Sequence, residues 1–322
     1  MKRSLYAIIF TLMFFAFLPV QSLAAELLIP VGRIIGLHIR DDTLTVAAFD
    51  DAYGSCAKDA GLKIGDEIVT LNGTDVKSVT DVRSLLDRCS GDVELTVRRS
   101  GKRSTVTVTP RQTAQGPRLG VCLRQGIAGI GTVTFYDPET GLFGTLGHGV
   151  SDGKGKLLPM KTGSIFDARI LSVKKGKCGD PGQLKGSAEA DNTLGTVLRN
   201  TPQGVFGISK QGWKGEPMPV AAYEEISAGP ATIRATVSGD SVQEYSVEIL
   251  KIYPQSRSDG RNFLVRVTDP ELLSATGGIV QGMSGSPIIQ NGKLVGAVTH
   301  VLVNDPTRGY GIFIENMLDA AA

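Results

Sequence analysis

The sequence predicts a mainly β protein built from two folded units. Its 40 glycines and 15 prolines interrupt short apolar runs, and few stretches repeat apolar residues with helical spacing, a pattern typical of strands joined by turns. At 322 residues the chain is long enough for two hydrophobic cores. The formal net charge of +2 provides no large basic field, so nucleic acid is not an expected partner.

The first 25 residues have the pattern of an export signal. Met1-Lys2-Arg3 is basic, the segment 5–20 is almost wholly apolar, and small residues within 22–25 suit signal peptidase. As a helix the apolar segment would span only ~24 Å, short of the ~30 Å hydrocarbon core of a bilayer. A cleaved signal peptide is therefore favoured, and an uncleaved membrane anchor stays open as the alternative. Either one places the rest of the chain on the extracytoplasmic face of the membrane.

Residues 28–110 form the first predicted unit, of the α+β class. The segment Ala60–Gly73, in which an apolar strand ends at Asn-Gly, resembles the core signature of PDZ domains. Downstream, residues 79–87 carry apolar side chains with the spacing of one helix face, and residues 93–97 alternate as a strand does. The sequence therefore predicts a small PDZ domain ahead of the second unit.

The PDZ resemblance also implies a binding site. Ile35, Gly36 and Leu37 resemble the loop whose N–H groups receive a peptide carboxylate, and residues 37–40 follow as the strand to which a peptide would add. A peptide or chain terminus is then the expected ligand, and a PDZ fold used only to pack against its neighbour is the alternative. The polar segment 111–117, which contains Gly and Pro, predicts a linker.

The second predicted unit, residues 118–322, contains a serine in a turn rich in glycine. In the stretch Gly282–Pro287, glycines flank Ser284, and the N–H groups of Gly282 and Ser284 could bind an oxyanion. Asn291-Gly292 between two apolar runs predicts a β-hairpin directly afterwards. A tight turn without chemistry is the alternative, although the arrangement resembles the nucleophile turn of chymotrypsin-like peptidases.

The general base must be chosen from three histidines, His38, His148 and His300. His148 lies in the glycine-rich segment 144–150 after a short apolar run, which predicts an imidazole at an open strand end. His300 is interpreted as a structural histidine on the return strand of the hairpin, and His38 as part of the first unit. With Ser284 as its partner, His148 is the predicted base.

Asp269 is the predicted third member of the catalytic set. A carboxylate is expected there because it can accept a hydrogen bond from the second imidazole nitrogen. Asp269 follows the apolar run 263–267, a strand end from which a side chain can face a cleft. Asp-Pro is also ordinary turn chemistry. Asp152, Asp167 and Asp180 therefore stay open as alternatives.

Three segments make the resemblance to a family specific. The stretch from Thr276 to Lys293, the block 294–318 and the segment Leu146–Gly149 are similar to the sporulation stage IV B serine peptidase family. The resemblance implies a divergent trypsin-like double β-barrel. It also implies a catalytic set of Ser284 as nucleophile, His148 as base and Asp269 as acid.

The same resemblance implies a role. It indicates a signalling peptidase of endospore formation, secreted into the space between mother cell and forespore membranes, that cleaves itself and a membrane-bound regulatory protein. Two features depart from the general trypsin-like pattern. Met283 stands where digestive enzymes carry an activating aspartate, and Asp269 lies only 15 residues before Ser284.

The cysteines add little to this interpretation. Cys56, Cys89, Cys122 and Cys178 allow three disulfide connectivities and show no metal-ligand spacing. Serine chemistry needs no metal or other cofactor, and none is expected. The sequence therefore predicts an exported serine endopeptidase with a PDZ domain. A catalytically inactive PDZ scaffold that binds an envelope protein is the alternative.

Overall fold

The computed structural model describes residues 27–152, 155–257 and 259–322. The predicted export signal, residues 1–25, lies outside the described residues. Within the described ranges, no helix is both long and apolar enough to cross a bilayer.

Strands dominate the described part of the chain, where four short helices and one 3-10 turn (Tyr223–Glu225) connect them. The strands are β1 (Leu27–Pro30), β2 (Ile34–Phe49), β3 (Glu67–Leu71), β4 (Thr74–Asp75), β5 (Val93–Arg99), β6 (Lys102–Val108), β7 (Arg111–Thr113), β8 (Gly116–Arg118), β9 (Val121–Tyr136), β10 (Leu142–Thr145), β11 (Thr162–Lys174), β12 (Gln183–Thr201), β13 (Gly204–Ser209), β14 (Met218–Pro219), β15 (Gly229–Ala235), β16 (Gln243–Ile252), β17 (Phe263–Val267), β18 (Pro287–Gln290), β19 (Lys293–Leu302) and β20 (Asp305–Phe313). The helices are α1 (Gly54–Asp59), α2 (Val79–Leu86), α3 (Pro270–Thr276) and α4 (Ile314–Ala321).

Six strands close into a first antiparallel barrel, in the order β2, β9, β10, β13, β12, β11 and back to β2. Alternate side chains of these strands point inwards, as strand geometry requires. Ile35, Val133, Phe143, Ile165 and Val205 are fully buried and cluster in the interior. The barrel therefore has a core of its own.

A second antiparallel barrel follows, in the order β15, β16, β17, β20, β19, β18 and back to β15. The Phe263 and Phe313 rings meet edge to face in its core, with ring centroids 5.2 Å apart. Asn291 and Gly292 have φ of 53° and 73° at the turn between β18 and β19, which confirms the predicted hairpin. The two barrels confirm the predicted double-barrel architecture.

The PDZ unit is inserted into the first barrel rather than placed ahead of it. Residues 34–39 of β2 pair with 127–132 of β9 in the barrel, whereas residues 44–49 pair with 121–125 in the PDZ sheet. That sheet continues through β3, β5 and β6, and α1 and α2 pack on the same core as its strands. The prediction of consecutive units at 28–110 and 118–322 is therefore corrected.

A glycine bulge separates the two halves of β9. Gly126 has a φ of 76°, and a Cβ at this position would lie 2.0 Å from the carbonyl oxygen of Ile39. Only glycine fits such a conformation and such an approach. The bulge lets one strand pass from the barrel into the PDZ sheet.

The segment 111–117 is not an extended linker. Its residues form most of the hairpin of β7 and β8, in which Arg111 pairs with Arg118. The hairpin leads directly into β9, which returns the chain to the barrel. The segment therefore joins the PDZ sheet to the barrel as a paired hairpin, because the chain must come back to the strand beside β2.

The predicted peptide-binding loop at Ile35, Gly36 and Leu37 is also wrong. These residues lie in the middle of β2, where β11 pairs with one edge and β9 with the other. A Cβ on Gly36 would lie 2.4 Å from the Ala188 side chain, so the strand is closely covered. With both edges paired, no peptide can add to this part of the chain.

Candidate active site

Ser284 lies in a turn that borders the cleft and leads directly into β18. Gly282 and Gly285 have φ of 102° and 98°, conformations that glycine adopts readily. Ser284 is half-buried, whereas Ser286 is fully buried and its hydroxyl has no hydrogen-bond partner among the described residues. Ser284 is thus the serine of this turn that a substrate can reach.

Thr132 on β9 fastens this turn to the first barrel. Its N–H donates to the Ser284 carbonyl at 3.1 Å, and its hydroxyl donates to the Gly282 carbonyl at 2.9 Å. A Cβ on Gly285 would lie 2.0 Å from the Thr132 carbonyl oxygen, so the backbones nearly touch. The turn is held by both barrels at once, a tether that sequence reasoning missed because it joins residues 150 positions apart.

The turn leaves two backbone donors free beside Ser284. The Met283 N–H donates to Val280 and the Gly285 N–H to Val298. Among the described residues, no acceptor is found for the N–H groups of Gly282 and Ser284. Two uncommitted N–H groups next to a serine hydroxyl form the arrangement that stabilises an oxyanion.

The Ser284 hydroxyl itself donates to the Thr299 carbonyl at 2.7 Å. It is therefore not directed at His148 in this conformation. A rotation about the Cα–Cβ bond would redirect it, and staggered rotamers of an accessible serine interconvert easily.

His148 lies at the end of a turn that strains the backbone. Leu146 and Gly147, which precede it, have φ of 70° and 66°, and a non-glycine residue rarely adopts this region. The Nδ1 of His148 lies 3.0 Å from the Gly149 carbonyl. That contact makes Nδ1 the protonated nitrogen and leaves Nε2 as a hydrogen-bond acceptor. Burial lowers the pKa of His148 below its ordinary 6.5, an effect that the Gly149 carbonyl partly offsets.

His300 packs against His148, with ring centroids 5.4 Å apart. Its Nδ1 is buried and has no hydrogen-bond partner among the described residues. Burial, and then the neighbouring His148, lower the pKa of His300 to about 4. Asp259 lines a small cavity together with both rings and forms a bidentate pair with Arg257. Sequence reasoning placed His300 away from the site, because a strand position gives no signal of what lies across the cleft.

Asp269 has a different role in the structure. Its carboxylate accepts from the N–H groups of Glu271 and Leu272, both at 3.0 Å, and from that of Ser246 at 3.2 Å. It is the N-cap of α3. The structure brings Ser284 and His148 to one cavity and gives no contact between Asp269 and either of them. Asp269 as the catalytic acid stays a prediction that this geometry does not support.

The other aspartates that the sequence left open are also committed to structural contacts. Asp167 pairs with Arg33 at 2.7 Å, and Asp180 pairs with Lys174 at 2.8 Å. The Asp152 carboxylate accepts from the Lys156 N–H at 3.0 Å.

The remaining candidates lie away from the cleft chemistry. On β2, the Nε2 atom of His38 lies 3.4 Å from the Gln125 carbonyl oxygen. Cys56, Cys89, Cys122 and Cys178 are all free thiols. In the part of the chain that the structure describes, no cluster of three or more His, Cys, Asp or Glu residues could hold a metal ion.

Comparison with protein families decides the relationship. The model of the SpoIVB peptidase S55 family matches residues 115–318, and a PDZ-domain model matches residues 35–109. The chain belongs to the SpoIVB peptidase S55 family. It also contains a PDZ domain. The first residues of the PDZ match lie in barrel strand β2, so the match boundary differs from the structural one.

Curated relatives match this family member over short segments. A protein of Bartonella henselae, provisionally described as a zinc metalloprotease, is 31% identical over 98 residues, which is 29% of this chain and 27% of the relative. The zinc metalloprotease RasP of Geobacillus kaustophilus is 34% identical over 67 residues, or 20% and 16% of the two chains. The chain spans less than a third of the length of these relatives.

Two solved structures are also similar to parts of the chain. The PDZ domain of the SdrC-like protein from Listeria monocytogenes is 21% identical and covers 26% of this chain and 88% of that one, with a TM-score of 0.23. The active form of the Rv3671c protease from M. tuberculosis is 16% identical and covers 61% and 73%, with a TM-score of 0.37. At these scores neither likeness bears on the fold, which rests on the strand pairing above.

The buried histidine pair predicts a loss of stability in acid. Between pH 6.5 and pH 4 the unfolded chain protonates His300, whereas the folded chain does not, so the free energy of unfolding should fall as the pH drops through this window. His300→Gln removes that contribution and should reduce the fall. Urea unfolding at several pH values measures it. An equal fall in the variant and the unchanged protein would contradict the buried, neutral state of His300.

Proposed function

We propose that Ser284 is the nucleophile and His148 the general base of this peptidase, and that it acts by acylation and deacylation. One observation carries the proposal. A reachable serine hydroxyl lies beside two uncommitted N–H groups, in a cavity that His148 also lines. These are the parts that acyl transfer needs.

The geometry suggests how these groups would act in turn. The Ser284 hydroxyl turns from the Thr299 carbonyl towards Nε2 of His148, which takes its proton as the oxygen attacks the scissile carbonyl. The N–H groups of Gly282 and Ser284 receive the negative charge on the former carbonyl oxygen. His148 then gives the proton to the leaving amine. Water, activated by the same imidazole, hydrolyses the acyl-enzyme and restores Ser284.

The Gly149 carbonyl supports His148 in this proposal. It accepts the Nδ1 proton, so it fixes the tautomer and orientation that the base requires. In the trypsin-like scheme a carboxylate has this position. Among the acidic groups of the described residues, Asp259 places a negative charge near the histidine pair, and this charge acts to raise the pKa of His300.

We further propose that the protein is exported and acts in endospore formation, in the space between mother cell and forespore membranes. There it would cleave itself and a membrane-bound regulatory protein. Membership of the SpoIVB family and the export pattern in residues 1–25 support this proposal.

The PDZ unit offers a peptide groove at a different place from the predicted loop. A cavity of about 180 Å³ lies between α2 and the start of β9. Val79, Val82 and Leu86 line it from the helix, and Val121 and Leu123 from the strand. The outer edge of β9 at residues 121–125 has no partner strand among the described residues. An extended peptide could therefore add to this edge and place an apolar side chain against α2.

The charge around this groove favours a chain terminus. Arg83 and Arg118 both line it, and no acidic side chain does. Guanidinium groups bind carboxylates through paired hydrogen bonds. We therefore propose that the groove binds the free carboxyl end of an apolar peptide, from the substrate or from a second copy of the chain.

The nucleophile assignment predicts a contrast between two serines of one turn. Ser284→Ala should lower peptide cleavage about 10⁶-fold and abolish self-cleavage, because the attacking oxygen is lost. Ser286→Ala is the matched control and should keep activity, since the buried Ser286 hydroxyl makes no hydrogen bond to any described residue. Cleavage rates and labelling by a serine-directed phosphonate measure both variants. Activity retained in Ser284→Ala would contradict the assignment and place the nucleophile on another residue, whereas absence of both cleavage and labelling in the unchanged protein would favour the inactive-scaffold interpretation.

The groove assignment predicts a loss of binding without a loss of fold. Val79 is 46% exposed, so Val79→Glu should leave the domain folded while placing a negative charge against the incoming carboxylate. Affinity for labelled decapeptides ending in Val or Leu should fall at least about tenfold, as for one lost charge-assisted contact.

Two controls accompany this measurement. Ile64→Glu, at a position 64% exposed and outside the groove, should keep the affinity of the unchanged protein. Peptides with an amidated terminus should bind more weakly than those with a free carboxylate. Equal binding by Val79→Glu and the unchanged protein would place the peptide site elsewhere.

A further inference from the structure

An open cavity of about 330 Å³ adjoins Ser284 and His148. Its walls are apolar apart from the catalytic groups, Ser151 and Gln281, and no charged side chain lines it. The apolar residues are Leu37 on β2, Ile127 and Ile130 on β9, and Leu146 and Val150 around the base. This volume is at the lower end for ligand pockets and is large enough for one bulky side chain.

The cavity lies on the side of the cleft that carries the base. His148 and the three residues after it form one wall, and β2 and β9 of the same barrel form a second. Gln281, Gly282 and Ser284 border the cavity from the nucleophile turn. During acyl transfer the leaving nitrogen receives its proton from the imidazole. The substrate segment that follows the scissile bond must therefore pass over His148 and enter this side of the cleft.

We propose that this cavity binds a large apolar side chain on the substrate residue that immediately follows the scissile bond. The inference rests on the proposed roles of Ser284 and His148 and specifies the substrates of that site. An apolar cavity favours such a side chain because burial removes its surface from water. A charged side chain would lose its hydration and find no partner of opposite charge among the lining residues.

Gly129 offers a direct way to fill the cavity. It lines the cavity from β9, and a Cβ built there meets no atom within 4 Å. The adjacent Ala128 is exposed and does not line the cavity. Gly129→Leu should therefore occupy the cavity, whereas Ala128→Leu adds the same bulk to the same strand outside it.

The test is cleavage of a peptide library, with each cut site identified by mass spectrometry. The unchanged protein should enrich Leu, Ile, Met and Phe after the cut bond, and should prefer Leu over Ala there at least about tenfold in kcat/KM, the discrimination typical of an apolar pocket. Gly129→Leu should lower this preference at least about tenfold. Ala128→Leu should keep it within about twofold of the unchanged protein.

Two results would overturn the inference while leaving the proposed function in place. One is enrichment only at the residue before the bond, and the other is an unchanged Leu preference in Gly129→Leu, in each case with phosphonate still labelling Ser284. Absence of both labelling and cleavage in the unchanged protein would instead overturn the proposed function, and the inference with it. Labelling and circular dichroism on each variant separate these outcomes from misfolding.

Discussion

The contact between Thr132 and the nucleophile turn is the interaction on which the site depends. Thr132 donates twice to the turn, through its N–H and its hydroxyl. Its carbonyl accepts from the Leu146 N–H at 3.3 Å and from the Thr145 hydroxyl at 2.5 Å, at the start of the segment that carries His148. One residue thereby fixes both segments of the proposed catalytic site. Each bond contributes only about 1 kcal/mol to stability, so the larger effect of Thr132 is positional.

This contact also explains why the turn needs glycine directly after Ser284. The backbone of Gly285 lies so close to Thr132 that a side chain would displace the strand. The Gly285 N–H donates to the Val298 carbonyl, and the Gly285 carbonyl accepts from the Thr134 hydroxyl at 2.8 Å. Neither group is therefore available to bind a substrate. Within the described part of the chain, the N–H groups of Gly282 and Ser284 have no acceptor. The turn therefore packs tightly against Thr132 on one side and presents these two N–H groups on the other.

Local features of the site were predictable from the sequence, and long-range features were not. The serine turn, the Asn291-Gly292 hairpin and the PDZ core segment depend on neighbouring residues and turn chemistry, which a sequence displays directly. The pairing of Ile39 with Ile127 across an inserted domain leaves no such signal. For this reason the sequence pattern indicates a loop at Ile35, Gly36 and Leu37, where the structure has a strand paired on both edges. The position of Asp269 at a strand end likewise fits a capping role as well as a catalytic one.

Strand β9 borders both of the proposed sites. Its first half borders the proposed peptide groove, and its second half lines the cleft and holds the nucleophile turn. Leu123 and Ile127 are four residues apart, or roughly 13 Å along a strand. A peptide end bound to the PDZ unit would be held near the cleft by the same strand that organises it.

The most direct test is a crystal structure of the protein after reaction with a serine-directed phosphonate. We expect a covalent bond from Ser284 Oγ to phosphorus, and a phosphonyl oxygen about 2.7–3.1 Å from the N–H groups of Gly282 and Ser284. Nε2 of His148 should lie within hydrogen-bond distance of an oxygen on the phosphorus or on Ser284. A phosphonyl oxygen directed away from both N–H groups, or an adduct on another residue, would contradict the account.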